Sequence, residues 1–282
     1  MTMIATLPVV LTSVALIASP AAAQPTGKLK SNRIAIAYEA PKNPAHEPIH
    51  ARLKERRVLE RLAKFLSPLR LPYTLNIKVQ GCDGEVNAWY FDDAITVCYE
   101  YLDNIKKFIP KEPAAGGLKP EDAIVGPTVE VFLHETGHAI FDMLDIPVLG
   151  REEDAADLFA AYLQLQIDKD EARTLILGNA FFGKEEAQEA MKKGPELRHY
   201  ADEHGLPAQR YFNVLCMAYG SDKKLFADAV TEWRLPAERA EYCQPEYEQF
   251  KHAFEKLIRP YIDRKQLDKI KNTRWLGVEA QR

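Results

Sequence analysis

From His50 to Leu66 the chain carries Leu53, Val58, Leu59, Leu62 and Leu66 at helical spacing among Lys, Arg and Glu, which predicts an amphipathic helix. The rhythm then changes. Tyr73, Leu75, Ile77 and Val79 alternate with polar residues, the period of a strand with one buried face. Gly81-Cys82-Asp83-Gly84 is a turn, and Val86–Tyr90 and Ile95–Tyr99 are two further short strands. Pro110–Pro127, rich in Pro, Gly and Lys, predicts a loop. Beyond it the helical period dominates. One helix starts at Pro127, preceded by Gly126, and runs to about Leu144, before Pro147. Glu152–Ile167, Lys184–His199, Pro207–Tyr219 and Glu238–Ile258 are the next helices. The lead-in before residue 43, with an apolar patch at Ile34–Tyr38, reads as extended chain. The tail after Arg259 reads as a surface helix or a loose end. Strands first and helices after predict an α+β fold. A small N-terminal antiparallel sheet with an edge strand spans about residues 73–100, and a mainly helical part spans about 127–260.

Composition narrows the class. The chain has 282 residues, 46% hydrophobic and 28% charged, enough for a single large domain over residues 24–282. A net charge of −4, with both signs mixed throughout, lacks the basic stripe of a nucleic-acid binder. The first 23 residues carry no charged side chain, and an apolar run from Leu7 to Ser19 leads to Ala21-Ala22-Ala23. This reads as a secretory signal peptide over residues 1–23, which places the protein in the periplasm or outside the cell. The run is short for a span of about 20 residues, so the mature chain is expected to carry no membrane span. An uncleaved anchor is the other reading, because no Lys or Arg precedes the run. Export changes the reading of the four cysteines. In an oxidising compartment they pair. Of the three possible pairings, proximity along the chain favours Cys82–Cys98 and Cys216–Cys243 over the others.

The candidate chemistry begins at FLHETGHAIF, Phe132–Phe141. Residues four apart share a helix face, so His134 and His138 point two imidazoles at one spot, and neutral imidazole is a good zinc ligand. Glu135, one step round, is displaced from that ligand set and suits a general base acting on water at the metal. Gly137 costs about 1 kcal/mol relative to Ala inside a helix, so a packing reason is expected for it. Catalytic zinc wants three protein ligands. Downstream, in GREEDAADLFAAY, Glu153 and Asp157 share a helix face. Glu153 is the third ligand in this reading, and Glu152 its rival. Asp157 accepts the free N–H of a ligating histidine, His134 first. His46, His50 and His252 have no partner pattern and read as surface residues.

HExxH followed by ExxxD resembles the gluzincins, the zinc peptidase group that includes thermolysin and neprilysin. The resemblance implies a zincin-like catalytic region, one Zn2+ per chain and peptide or protein substrates. VNAWY, Val86–Tyr90, resembles the neprilysin-type edge strand, which implies that Asn87 and the Ala88 backbone hold the substrate peptide. Asp202, His204 and Arg210 have the spacing of a further motif of those enzymes. By that resemblance His204 stabilises the oxyanion, Asp202 orients it, and Arg210 binds a substrate carbonyl. His199 competes with His204. A Cys-flanked hairpin, HETGH, REEDAAD and HGLPAQRYFNVLCMAYG, in that order, are also similar to a bacterial family of largely uncharacterised metallopeptidases. The expectation is therefore an exported zinc peptidase. Its rivals are a zinc amidase acting on a cell-wall or other non-peptide amide, and a zinc-stabilised binding protein without catalysis. Affinity order alone does not select zinc over other divalent ions.

Overall fold

A computed structural model describes residues 27–276; the expected leader at 1–23 lies outside the described residues. Among these residues the α+β expectation holds. Four strands form one sheet: β1 (Ile34–Tyr38), β2 (Leu75–Gln80), β3 (Ala88–Phe91) and β4 (Ala94–Cys98), in the order β1-β2-β4-β3. The alternation of β2 buries Leu75, Ile77 and Val79 completely and leaves Asn76 exposed. β4 is buried on nearly every residue because it lies between β2 and β3.

The sheet is mixed and not antiparallel throughout. β1 and β4 both run parallel to β2, and only β3 pairs antiparallel, with β4. The difference comes from Ile34–Tyr38, the apolar patch read as lead-in. It pairs residue for residue with β2, Ile36 beside Ile77, after a crossover through two helices. β3 and β4 form the expected hairpin. Its two-residue turn, Asp92-Asp93, has both φ values positive, at 48° and 60°, as the twist of a tight hairpin requires. β3 is an edge strand.

The helices among the described residues are α1 (Glu47–Glu55), α2 (Val58–Leu66), α3 (Tyr99–Lys106), α4 (Pro120–Ala123), α5 (Val125–Met143), α6 (Glu152–Gln164), α7 (Lys169–Lys193), α8 (Pro207–Ser221), α9 (Asp228–Thr231), α10 (Ala237–Leu257) and α11 (Arg264–Ile270). Three differ from expectation. The helix expected over 50–66 breaks at Arg57, whose φ is 52°, and the Tyr38 hydroxyl accepts the Leu59 N–H left free by the new start. Part of the 110–127 loop is α4 and the first turn of α5. The helix expected over 184–199 is α7, which begins at an Asp168 cap and ends at Gly194. His46 and His50 are not surface residues: His46 is buried and His50 half-buried, both beside the Tyr99 ring.

Among the described residues, two large cores and a small third one around Ile176, Ala218 and Phe226 hold these elements. One joins Ile77, Ile95 and Val97 of the sheet to Phe132, Leu133 and Ile140 of α5 and Phe159 of α6. The other large core joins α7, α8 and α10 through Leu177, Leu215 and Cys243, with Trp233 from the segment before α10. Disulfides Cys82–Cys98 and Cys216–Cys243 are both present. The first ties the β2–β3 turn to the end of β4, and the second ties α8 to α10. Among the described residues, no helix is long and apolar enough to cross a membrane.

Glycine sets the closest helix approaches. A Cβ on Gly137 would stand 3.1 Å from Ala156 Cα, so α5 meets α6 at van der Waals contact directly behind the histidines. A Cβ on Gly126 would stand 2.3 Å from the Leu175 carbonyl oxygen and 2.5 Å from Asn179 N, at the crossing of α5 and α7. Alanine in a helix interior normally adds about 1 kcal/mol over glycine. Gly126→Ala is expected to reverse that sign and cost about 1–3 kcal/mol by overpacking, read as a lowered midpoint in chemical denaturation. An unchanged or raised midpoint would show that the crossing is loose.

Candidate metal centre

Two helices supply the inner groups. α5 presents His134 and His138, and α6, held close by Gly137, presents Glu153. The Nε2 atoms of the two histidines are 3.2 Å apart. Glu153 Oε2 is 3.1 Å from His134 Nε2, and Glu153 Oε1 is 3.5 Å from His138 Nε2. Zinc bonds of about 2.0–2.2 Å at tetrahedral corners put ligand atoms about 3.3–3.6 Å apart. The three distances run through both oxygens of Glu153 and lie at or just below that range, and a chemistry of two imidazoles and one carboxylate fits a catalytic zinc; His204 also falls in one group with His134 and Glu153.

The far nitrogens are held as metal ligands require. His134 Nδ1 is 2.8 Å from Asp157 Oδ1, and His138 Nδ1 is 2.8 Å from Glu152 Oε1. A carboxylate on each Nδ1–H orients the ring, so that once the Nε2 proton is lost the lone pair faces the common point. Glu152 thus stands on the outer nitrogen of His138, a place the sequence reading did not give it. Asp157 is itself gripped: Arg210 of α8 donates Nε to Oδ2 and Nη2 to Oδ1, each at 2.7 Å. The Arg210 fork, expected on a substrate carbonyl, is engaged with Asp157.

His204 stands at the margin. Its Nε2 is 2.9 Å from Glu153 Oε2, and its Nδ1 is 3.3 Å from Asp202 Oδ1. The Asp202 carboxylate also accepts the His204 backbone N–H at 2.9 Å. His199 instead uses Nδ1 to accept the Glu196 N–H. Glu135 is buried, 5% exposed, and makes no hydrogen bond with a described residue. Asn87 and Ala88 lie at the start of β3, where Asn87 Nδ2 donates to Glu85 Oε1 at 3.0 Å. The outer side of that strand pairs with no other strand of the sheet.

Charge explains the protonation states. Burial works against a charged Glu153, but hydrogen bonds from His134, His138 and His204 hold it far below the usual carboxylate range. Burial also opposes a charged His134, yet Asp157 and Glu153 push it up to about 10. Asp157 is held low against its own burial, chiefly by Arg210 and then by His134. Burial raises Glu135, which the positive histidines only partly offset. A carboxylate raised toward neutrality is the better proton acceptor and donor.

A family model described as "Putative metallopeptidase" (DUF4344) matches residues 38–258, and the chain belongs to that family. No curated protein and no solved structure matches the chain.

The Asp157–Arg210 pair yields a measurable coupling. A double-mutant cycle with Asp157→Asn and Arg210→Gln in metal-free protein is expected to give about 2–3 kcal/mol, below the range for a fully buried pair because a third of the Arg210 side chain is exposed. Asp157 has a depressed folded pKa. Its contribution is therefore present above the unfolded carboxylate value of about 3.9 and is lost as pH falls through the lowered folded one. A coupling near zero at pH 7, or one that grows on acidification, would show that the pair does not hold the helices.

Proposed function

We propose that this chain is an exported, zinc-dependent peptidase of the gluzincin type. The observation that carries this is the convergence of His134 Nε2, His138 Nε2 and a Glu153 carboxylate, with a second carboxylate on each outer imidazole nitrogen. Membership of a metallopeptidase family supports it, and the two disulfides suit an oxidising compartment.

His134, His138 and Glu153 would hold the ion. A zinc ion there supplies Lewis acidity and lowers the pKa of water it binds. The rest falls to the chain. Glu135 lies beside the ligands on α5, buried and without a competing partner, so its carboxylate is free to take a proton from the attacking water and deliver it to the leaving amine. His204, steadied by Asp202, offers an N–H toward the developing oxyanion. Asp157 and Glu152 fix the two ligating rings, and Arg210 fixes Asp157. Asn87 and the open edge of β3 supply backbone and amide groups that suit an extended peptide.

The decisive experiment uses untagged protein exported through its own leader, wild type beside Glu135→Gln. About one zinc per chain is expected in both, with cleavage of a quenched-fluorescent peptide library only in wild type, and an amino terminus at Gln24. Metal in both with cleavage in neither would transfer the reading to a non-peptide amide or to binding alone. Metal in neither would remove the centre.

The outer carboxylates give a graded prediction. Asp157→Asn is expected to weaken zinc binding about 10–100-fold and Glu152→Gln about tenfold, because Glu152 is half exposed. Competition with a chelator of known affinity measures both. Equal wild-type affinity in both variants would mean that neither ring depends on its carboxylate.

A further inference from the structure

Beside the centre lies a cavity of about 540 Å³, bounded by α3, α5, α7, α8 and residues 194–207. Asp157, His204 and Arg210 form the wall that it shares with the centre. Two more carboxylates face it from different helices. Glu130 enters from α5, one turn before His134. Its carboxylate oxygen, a His134 nitrogen and an Asp157 oxygen lie within 4.8 Å of one another. Glu186 enters from α7, on the face that also carries Asn179 and Phe182.

The charges in this cavity do not balance. Asp157 is answered by Arg210 and His134, and Asp202 by His204. Glu130 and Glu186 have no hydrogen bond or ion pair with any described residue. Lys193 and His199 lie on the exposed rim and pair with neither. Burial raises both groups; His134 and Arg210 partly offset the rise of Glu130, whereas Glu130 adds to that of Glu186. Glu186 is pushed up to about 7 although Arg210 pulls it down. Two half-buried carboxylates left in this state favour a cation between them.

A second group in the cavity is also unspent. Asn179 is 8% exposed, lines the cavity, and its Nδ2 has no acceptor. Buried amide donors are normally satisfied. A ligand that brings a carbonyl oxygen close to a positive charge would answer Asn179 and the two glutamates together. Peptides carry that combination in two places: a Lys or Arg residue, and an amino-terminal residue.

We propose that Glu130 and Glu186, with Asn179 beside them, form a subsite for a cationic nitrogen of the peptide substrate next to the metal centre. This rests on the peptidase reading above and specifies its substrate class. The subsite takes the ammonium or guanidinium of the residue seated next to the scissile bond.

The test reads binding apart from turnover. Three hydroxamates, acetyl-lysine, acetyl-norleucine and norleucine with a free amine, present the same metal-chelating group to the zinc-loaded full chain, and calorimetry gives their affinities. At least one cationic compound is expected to bind about tenfold or more tightly than acetyl-norleucine, as a charge-assisted contact implies. A lysine preference assigns the subsite to a side chain, and a free-amine preference assigns it to the amino terminus. In Glu186→Gln the advantage is expected to vanish. Metal content and melting temperature of the variant report that centre and fold are intact. Equal affinity for all three compounds in wild type, binding of none, or an advantage that survives Glu186→Gln would each overturn the subsite. Peptide cleavage is scored separately on the same protein. Cleavage without a cationic preference in binding removes the subsite and leaves the peptidase. A cationic preference without cleavage keeps the subsite and removes the peptidase.

Discussion

A buried carboxylate persists as an anion only where its charge is answered, and Asp157 is answered twice. One oxygen meets His134 Nδ1 and Arg210 Nη2, and the other meets Arg210 Nε. The three residues come from three helices, so the pairing pins α5, α6 and α8 to one another at a single point. Removing any one partner leaves a charge in a poorly solvated place, which is costlier than losing an apolar contact. The proposed ligand set depends on this arrangement, because the ring that Asp157 holds is one of its three members.

Close backbone approach makes the arrangement reachable. Carboxylate and imidazole meet at 2.8 Å only if α5 and α6 lie nearly in contact, and Gly137 permits it. The helix propensity lost at that position is small beside a correctly spaced pair of charged partners. On the far side α5 packs on β3 and β4, so the sheet acts as a backing plate for the helix that carries both histidines. Tyr90 of β3 donates to Asp142 near the end of that helix at 2.7 Å, a second link between the edge strand and the centre's main support.

Periodicity made part of this legible. His134, His138, Glu153 and Asp157 occupy i, i+4 positions, and that spacing is the geometry itself once the segments are helical. The cysteine pairs followed from nearness along the chain. The rest depended on partners that no local pattern records. Ile34–Tyr38 becomes a strand only because β2 lies beside it, in parallel, after a crossover. Gly178 and Gly183 dilute the pattern of α7, while Gly178 is there because Gly126 crosses it at contact distance. His204 lies beside Glu153 and Asp202 beside His204, and it is family likeness that singles them out. Glu152 looked like a competitor of Glu153 because a helix face says which residues are neighbours and not which nitrogen each one meets. Glu130 had a faint signal, one turn before His134. Glu186 had none, since its role comes from the cavity that α7 closes.

Sequence separation orders these contacts in a way that energies do not. His134 and Glu153 are 19 residues apart, and His134 and Asp157 are 23, whereas Asp157 and Arg210 are 53 apart. Closing the longer loop costs only about 1 kcal/mol more in chain entropy. The three proposed ligands belong to one helical hairpin, α5 and α6, closed by the shorter loops. Arg210 reaches them from α8, itself fastened to α10 by a disulfide. The guanidinium that grips Asp157 thus ties the proposed ligand hairpin to a part of the chain with its own covalent fastening, so strain in the α8–α10 pair is passed to the centre through one ion pair.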